Sequence, residues 1–144
     1  MEVKLVSTES DLDKACRVLL LFRTNFSRET LLDQIQEQQE NGFQLAFTEL
    51  DGKAICVAGF VIGYKLAWGK HLYVDDLVTD EQHRSTGAGK LMMDWIKLYA
   101  KERGCGQIHL DSSVQPFRYT AHRFYLNQGF NIASHHFSIT NISN

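Results

Sequence analysis

The chain is short of the residues that interrupt or staple a fold. Among 144 residues it has one proline, Pro116, and three cysteines, Cys16, Cys56 and Cys105. A lone proline excludes a proline-rich linker or recognition tract. Three widely spaced cysteines, an odd number, exclude a disulfide framework and lack zinc-site spacing; they fit reduced thiols in a cytoplasmic protein. Neither sign of charge is in excess: 15 Lys and Arg stand against 17 Asp and Glu, a formal net charge of −2. With no face-sized basic run, nucleic acid is not an expected partner. The apolar stretches are too short and interrupted to cross a bilayer, so no membrane is expected. Glu2, Lys4 and Glu9 break up the start where a signal peptide needs an apolar core. The sequon Asn141-Ile142-Ser143 is unused without export. Six histidines show no clean ligand spacing, and no metal is expected. His135 and His136, read on a strand, point opposite ways.

What is present reads as mixed α and β. Val3 to Val6 predicts a strand, and Ser10 is placed to cap a helix from Leu12 to Phe22. Ser27, ahead of Arg28-Glu29-Thr30, is close to a capping arrangement for a helix over Leu31 to Gln39. Leu31, Leu32 and Ile35 form the apolar stripe of that helix, and Gly42 closes it. Gln44 to Leu50 and Ala54 to Tyr64 read as strands joined by Asp51-Gly52, a strong hairpin signal. Lys65 to Lys70 predicts a turn and Leu72 to Thr79 a strand. A long helix follows from Lys90 to Arg103, its buried face at Leu91, Met92, Trp95, Ile96, Leu98 and Tyr99, with Gly104 as its stop. With no linker, repeat or low-complexity tract, a single domain over 1–144 is expected.

The most informative stretch is Arg84-Ser85-Thr86-Gly87-Ala88-Gly89, between that strand and that helix. The first turn of a helix has N–H groups without helical partners, and the macrodipole adds positive charge there. Strand, glycine-rich turn and helix therefore form a cradle for a phosphate. Gly87 and Gly89, lacking Cβ, let a diphosphate approach the backbone. The spacing fits neither a P-loop nor the dinucleotide fingerprint, which needs a third glycine where Met92 stands.

The loop resembles the acetyl-CoA pyrophosphate loop of the GNAT superfamily of N-acetyltransferases, Gln/Arg-x-x-Gly-x-Gly/Ala. Asp76-Leu77-Val78-Thr79 is similar to the end of that family's fourth strand, and Gln107 to Leu110 to its fifth. Ala121-His122-Arg123-Phe124-Tyr125 with Gly129-Phe130 is similar to the family's Ala-x-x-x-Tyr-x-x-x-Gly-Phe ending. The resemblance covers residues 72–130 in detail and the N-terminal half in layout. It implies an α+β, three-layer fold. Its mixed, mostly antiparallel central sheet would have six to seven strands, with four helices, and would splay between the fourth and fifth strands.

The resemblance also implies function. Acetyl-CoA would be the cosubstrate, its pantetheine paired with backbone groups of Leu77, Val78 and Thr79. The amides of Ser85, Thr86, Gly87, Ala88, Gly89 and Lys90 would hold the pyrophosphate, with Arg84 adding a charged contact. The acceptor would be the primary amine of a small molecule, walled by the N-terminal helices, and a homodimer is the leaning for assembly. An alkyl ammonium has a pKa of about 10.4 and must lose a proton before it attacks the thioester. Asp75 and Asp76 are the candidate bases. On a strand they alternate, so at most one faces the cleft unless a bulge intervenes. His71 and Tyr73 could relay a proton through water. Asp111 either binds the amine or caps local backbone. A backbone N–H near Val78 would stabilise the oxyanion. Tyr125 would protonate the departing thiolate; its plainer role is to pack the last helix.

Two departures from the family pattern stand out. Ser85 occupies a frequent glycine position, tolerable if its φ is negative. Arg118 stands where an asparagine often precedes the tyrosine motif. Small aminoalkylphosphonate N-acetyltransferases share the look of residues 121–126 and 134–137, which would turn Arg118, His122 or Arg123 toward a phosphonate. Three rivals remain: a non-catalytic acetyl-CoA-binding module, a transferase acting on protein amines, and an unrelated phosphate-binding domain.

Overall fold

The β2–β3 hairpin is the centre of the computed structural model, which describes residues 1–143. Asp51 and Gly52 both take positive φ, 52° and 78°, the type I′ conformation whose twist matches the flanking strands. From that turn β2 (Phe43–Leu50) and β3 (Lys53–Lys65) pair antiparallel. β1 (Glu2–Leu5) joins β2 and β4 (Gly69–Thr79) joins β3, both antiparallel; β5 (Gln107–Leu110) joins β4 in parallel. The sheet is mixed and mostly antiparallel, as the resemblance implied.

It has five strands in the order β1-β2-β3-β4-β5 among the described residues, not six to seven. The shortfall lies at the C-terminus, where residues 131–140, His135 and His136 included, carry no strand. A strand exists through ladder bonds to a neighbour, and alternation without pairing does not make one.

Three of the helices belong with the sheet. Thr8, not Ser10, caps α1 (Glu9–Phe22): its hydroxyl accepts from the Asp11 N–H at 3.0 Å, and the Asp11 carboxylate reaches back to the Thr8 N–H. Asp13 stands three residues after Ser10 but pairs with Arg28 instead of reaching back, so Ser10 falls inside the first turn. Ser27 and Thr30 make the equivalent reciprocal pair for α2 (Arg28–Glu40). Each such cap is worth about 1 kcal/mol.

Alternation along the strands divides the core into two faces. Phe43, Leu45, Phe47 and Val57 join Cys16, Leu19, Leu31 and Ile35 under α1 and α2. On the other face α3 (Ala88–Glu102) buries Met92, Met93, Ile96 and Tyr99. There the Tyr99 hydroxyl donates to Gln44 at 2.6 Å, and its ring meets Phe60 edge-on. Leu98, expected on the buried face of α3, is exposed, and Met93 takes its place. A fully buried side chain such as Phe47 or Phe60 contributes roughly 1.5–3 kcal/mol.

The chain divides into two compact units, Met1–Leu110 and Asp111–Asn144. The second holds a short 3-10 turn, Pro116–Arg118, leading into α4 (Tyr119–Asn127). No helix of the described residues is long and apolar enough to cross a membrane.

All three cysteines are free. Burial pushes the Cys16 and Cys56 thiols up to about 11, so neither supplies thiolate near neutrality. Cys105 is half-buried. Titration of the native protein with a chromogenic disulfide should therefore react with one thiol per chain rapidly and the other two only on unfolding. Three rapid equivalents would contradict this packing.

Candidate active site

β4 gains a residue where the chemistry was expected. Phe60 pairs with Val74 but Gly59 pairs with Asp76, which leaves Asp75 as the extra residue of a β-bulge. Simple alternation would send Asp75 and Asp76 to opposite faces. The bulge turns Asp76 onto the α1/α2 side as well, because its partner Gly59 lies across from Leu45 of that face. Both carboxylates line one pocket of about 300 Å³. Its floor is apolar, formed by Leu19, Phe26, Leu31, Ile35 and Phe43, and the amides of Asn25, Gln34 and Gln38 supply polar edges.

Gly59 makes this possible. A Cβ there would lie 2.5 Å from the Phe43 ring and 3.4 Å from Asp76 Oδ2. Glycine inside a strand often marks a bulge or close approach, a signal by which the sequence could have revealed this position.

The two carboxylates have different surroundings. Arg23, at the end of α1, donates from Nε to Asp76 Oδ1 at 3.1 Å and from a terminal nitrogen to the same oxygen. Asp75 accepts no hydrogen bond among the described residues. Partial loss of hydration on the pocket side pushes its carboxyl above the usual range, and the Asp76 charge adds to this, although the residue is exposed to solvent. Nothing local in the sequence marks Arg23, which meets Asp76 only through the fold.

The strand edge beyond the bulge is open. Pairing with β5 ends at Val74 and Leu110, while β4 runs on to Thr79. The Asp80 N–H donates to the Ile55 carbonyl at 2.8 Å. Antiparallel alternation then turns the Val78 and Asp76 backbone toward β3, and the Leu77 and Thr79 backbone toward the open edge.

The loop after β4 is pinned at its root and open at its tip. Asp80 is buried; its carboxylate accepts from the Gln82 N–H at 3.1 Å and from Arg17 at 3.4 Å. Those two contacts, the backbone one first, hold its carboxyl below the usual range. Thr86 donates to the His83 carbonyl at 2.6 Å. Gly87, φ 88°, stands before the first residue of α3 and offers no side-chain cap. The first N–H groups of α3 thus lack helical partners until Leu91 donates to Gly87. A Cβ on Gly87 would meet nothing within 4 Å. Open space, bare N–H groups and a helix dipole fit a diphosphate.

Ser85, tolerable here on the condition of a negative φ, takes 67° instead. The turn needs a left-handed residue there, which costs a side chain about 1–2 kcal/mol and explains why glycine suits the position. Arg84 is exposed and pairs with Glu81 at 3.6 Å. His71 is buried and meets the Gly69 carbonyl through Nδ1 at 3.0 Å.

In the second unit Tyr125 lies near the end of α4. The Phe130 N–H donates to its carbonyl at 3.1 Å, the Gly129 N–H donates to Leu126 at 3.1 Å, and Gly129 has φ 97°. This is a Schellman ending, and the Tyr125 and Phe130 rings meet across it at 5.9 Å. Tyr-x-x-x-Gly-Phe is therefore also a helix stop. Asp111 pairs with His136 at 3.3 Å, and His122 meets the Ser113 carbonyl at 2.7 Å. No group of three metal-ligating side chains occurs among the described residues.

The sequence profile of the Acetyltransferase (GNAT) family matches residues 12–130. This chain belongs to the GNAT acetyltransferases. The uncharacterized N-acetyltransferase YhdJ of Bacillus subtilis (strain 168) is 29% identical over 139 residues, covering 95% of this chain and 96% of that one. The aminoglycoside N-acetyltransferase AAC(6')-Iy in complex with CoA superposes with TM-score 0.82 at 14% identity, over 98% of this chain and 94% of its own. A ribosomal-protein-alanine N-acetyltransferase from Brucella melitensis biovar Abortus 2308 gives TM-score 0.82 at 15% identity, over 97% and 99%. Those two names describe acceptors of different kinds, so the shared GNAT fold does not identify an acceptor. Family membership makes the chain an acyltransferase.

Two outcomes are expected. Because the folded state disfavours ionised Asp75, its contribution to stability falls as pH rises through the raised carboxyl range and stays low above it. Asp75→Asn should leave the neutral-pH melting temperature unchanged or higher; a clear drop would reverse the sign. Gly87→Val should keep the fold, with a small loss from its left-handed φ, yet abolish the thermal shift given by acetyl-CoA. A retained shift would remove the loop from the donor site.

Proposed function

We propose that this GNAT chain transfers the acetyl group of acetyl-CoA to the primary amine of a small molecule held in the α1/α2 pocket, and that both units belong to one acetyltransferase domain. The observation that carries the reading is the bulge, which turns two carboxylates into a small pocket beside an open strand edge. The family profile spans residues of both units.

The donor's pantetheine pairs along that open edge through Leu77 and Thr79, with Val78 between them as the residue tied to β3. The N–H groups from Ser85 to Lys90 hold the pyrophosphate, and Arg84 adds charge by leaving Glu81. Asp75, without a hydrogen-bond donor of its own, receives the ammonium proton directly or through water; its raised carboxyl range brings it nearer the pH at which a base works best. Asp76, held by Arg23, is the second carboxylate candidate. An outward backbone N–H of the bulged strand, at Leu77 rather than Val78, stabilises the tetrahedral oxyanion. Tyr125 keeps the role the family resemblance gives it, protonating the departing thiolate.

The test is release of CoA thiol from acetyl-CoA across amines, amino acids and lysine-containing peptides. Turnover with small amines is expected. Turnover with peptides alone would move the acceptor to protein, and acetyl-CoA binding without any turnover would favour a binding module. Tyr125→Phe preserves the ring contacts with Phe124 and Phe130. It should lower kcat by about 10²-fold with unchanged acetyl-CoA affinity. An unchanged kcat would leave Tyr125 with the helix stop alone.

A further inference from the structure

The acceptor pocket of the proposed function has a simple charge balance. Of its lining residues, only Arg23, Asp75 and Asp76 are charged. Arg23 places two donors on one oxygen of Asp76, and that pair leaves one uncompensated negative charge, on Asp75. The rest of the wall is an apolar floor with a few neutral amides. At about 300 Å³ the pocket is at the small end of ligand sites.

We propose that Arg23 is the charge-specificity residue of this enzyme, restricting the acceptor to an amine with a single positive charge on a short apolar body. This rests on the reading of the pocket as the acceptor site. A monocation finds one free carboxylate for its ammonium and an apolar floor, with Phe26 and Phe43, for its stem. A second ammonium would be desolvated against that floor, or would compete with Arg23 for Asp76, and an unpaired buried charge is expensive. Arg23 acts through Asp76 and touches no reacting atom, so it is a positioning and specificity residue. Its backbone N–H closes α1 by donating to Leu19 at 2.7 Å, a bond that a side-chain substitution leaves in place.

The experiment compares kcat and KM for hexylamine and hexamethylenediamine, equal in length and different by one charge, with spermidine as a longer polycation. The enzyme as it stands should prefer hexylamine in kcat/KM by at least about tenfold, chiefly through KM. Arg23→Gln frees Asp76 and should shift the ratio toward the diamine by at least about tenfold, while Arg23→Lys should keep the original preference. A purely structural role for Arg23 would lower all rates together without moving the ratio, and that result overturns the proposal. Preference of the unaltered enzyme for the diamine or spermidine also overturns it, and needs no variant to fold. Silence with every amine, acetyl-CoA still bound, overturns the acetyltransfer reading itself and this inference with it.

Discussion

One extra residue in β4, opposite a glycine in β3, is the constraint on which the rest of the site depends. A regular strand in this position would show one carboxylate to α1 and α2 and the other to α3. With Asp75 inserted, Asp76 comes round to the same side and both line the pocket. Gly59 is the other half of the device, since the Phe43 ring occupies the space a Cβ would need. The bulge also lies where β5 stops pairing, so the open edge of β4 and the carboxylates belong to the same short stretch of strand.

The electrostatics of that stretch are set by unequal partners. Arg23 answers Asp76, while Asp75, exposed but partly desolvated on its pocket side, faces a like charge. Two adjacent carboxylates of equal intrinsic chemistry are thereby given different surroundings, one bound by a guanidinium and the other pushed above the usual carboxyl range. The energetic cost is borne by the packed layers on either side, anchored by fully buried Phe47, Phe60 and Ile96.

The loop before α3 works by backbone rather than side chains. Ser85 and Gly87 both take left-handed φ, which leaves the first N–H groups of α3 bare and aimed outward. Its root is fixed by buried Asp80, held through Arg17 to α1 and through its N–H to β3. A pinned root and an open tip leave a helix N-terminus of the kind to which an anion can bind.

Local chemistry was legible in the chain itself. Asp51-Gly52 specified its own turn, Ser27 with Thr30 its own cap, and Gly104 its helix stop, because each depends on bonds spanning a few residues. The glycine loop and the order of motifs were enough to indicate the family. Neighbouring signals of equal local merit were harder to rank: Ser10 and Thr8 both suit a cap, and the choice turned on which carboxylate reached back. His135 and His136 read as part of a strand, yet pairing is a property of two segments, and residues 131–140 form no ladder. The pocket lay furthest from view. Arg23 and Asp76 are far apart along the chain, as are Gly59 and Phe43's ring from β4, and no pattern within either segment encodes the meeting. The sequence by itself determined the hairpin turn, most of the elements of residues 1–130, the glycine-rich loop before α3 and the family. The tertiary structure alone decided that two adjacent aspartates share a face, and which one an arginine neutralises, because register and side-chain pairing arise only when distant segments pack.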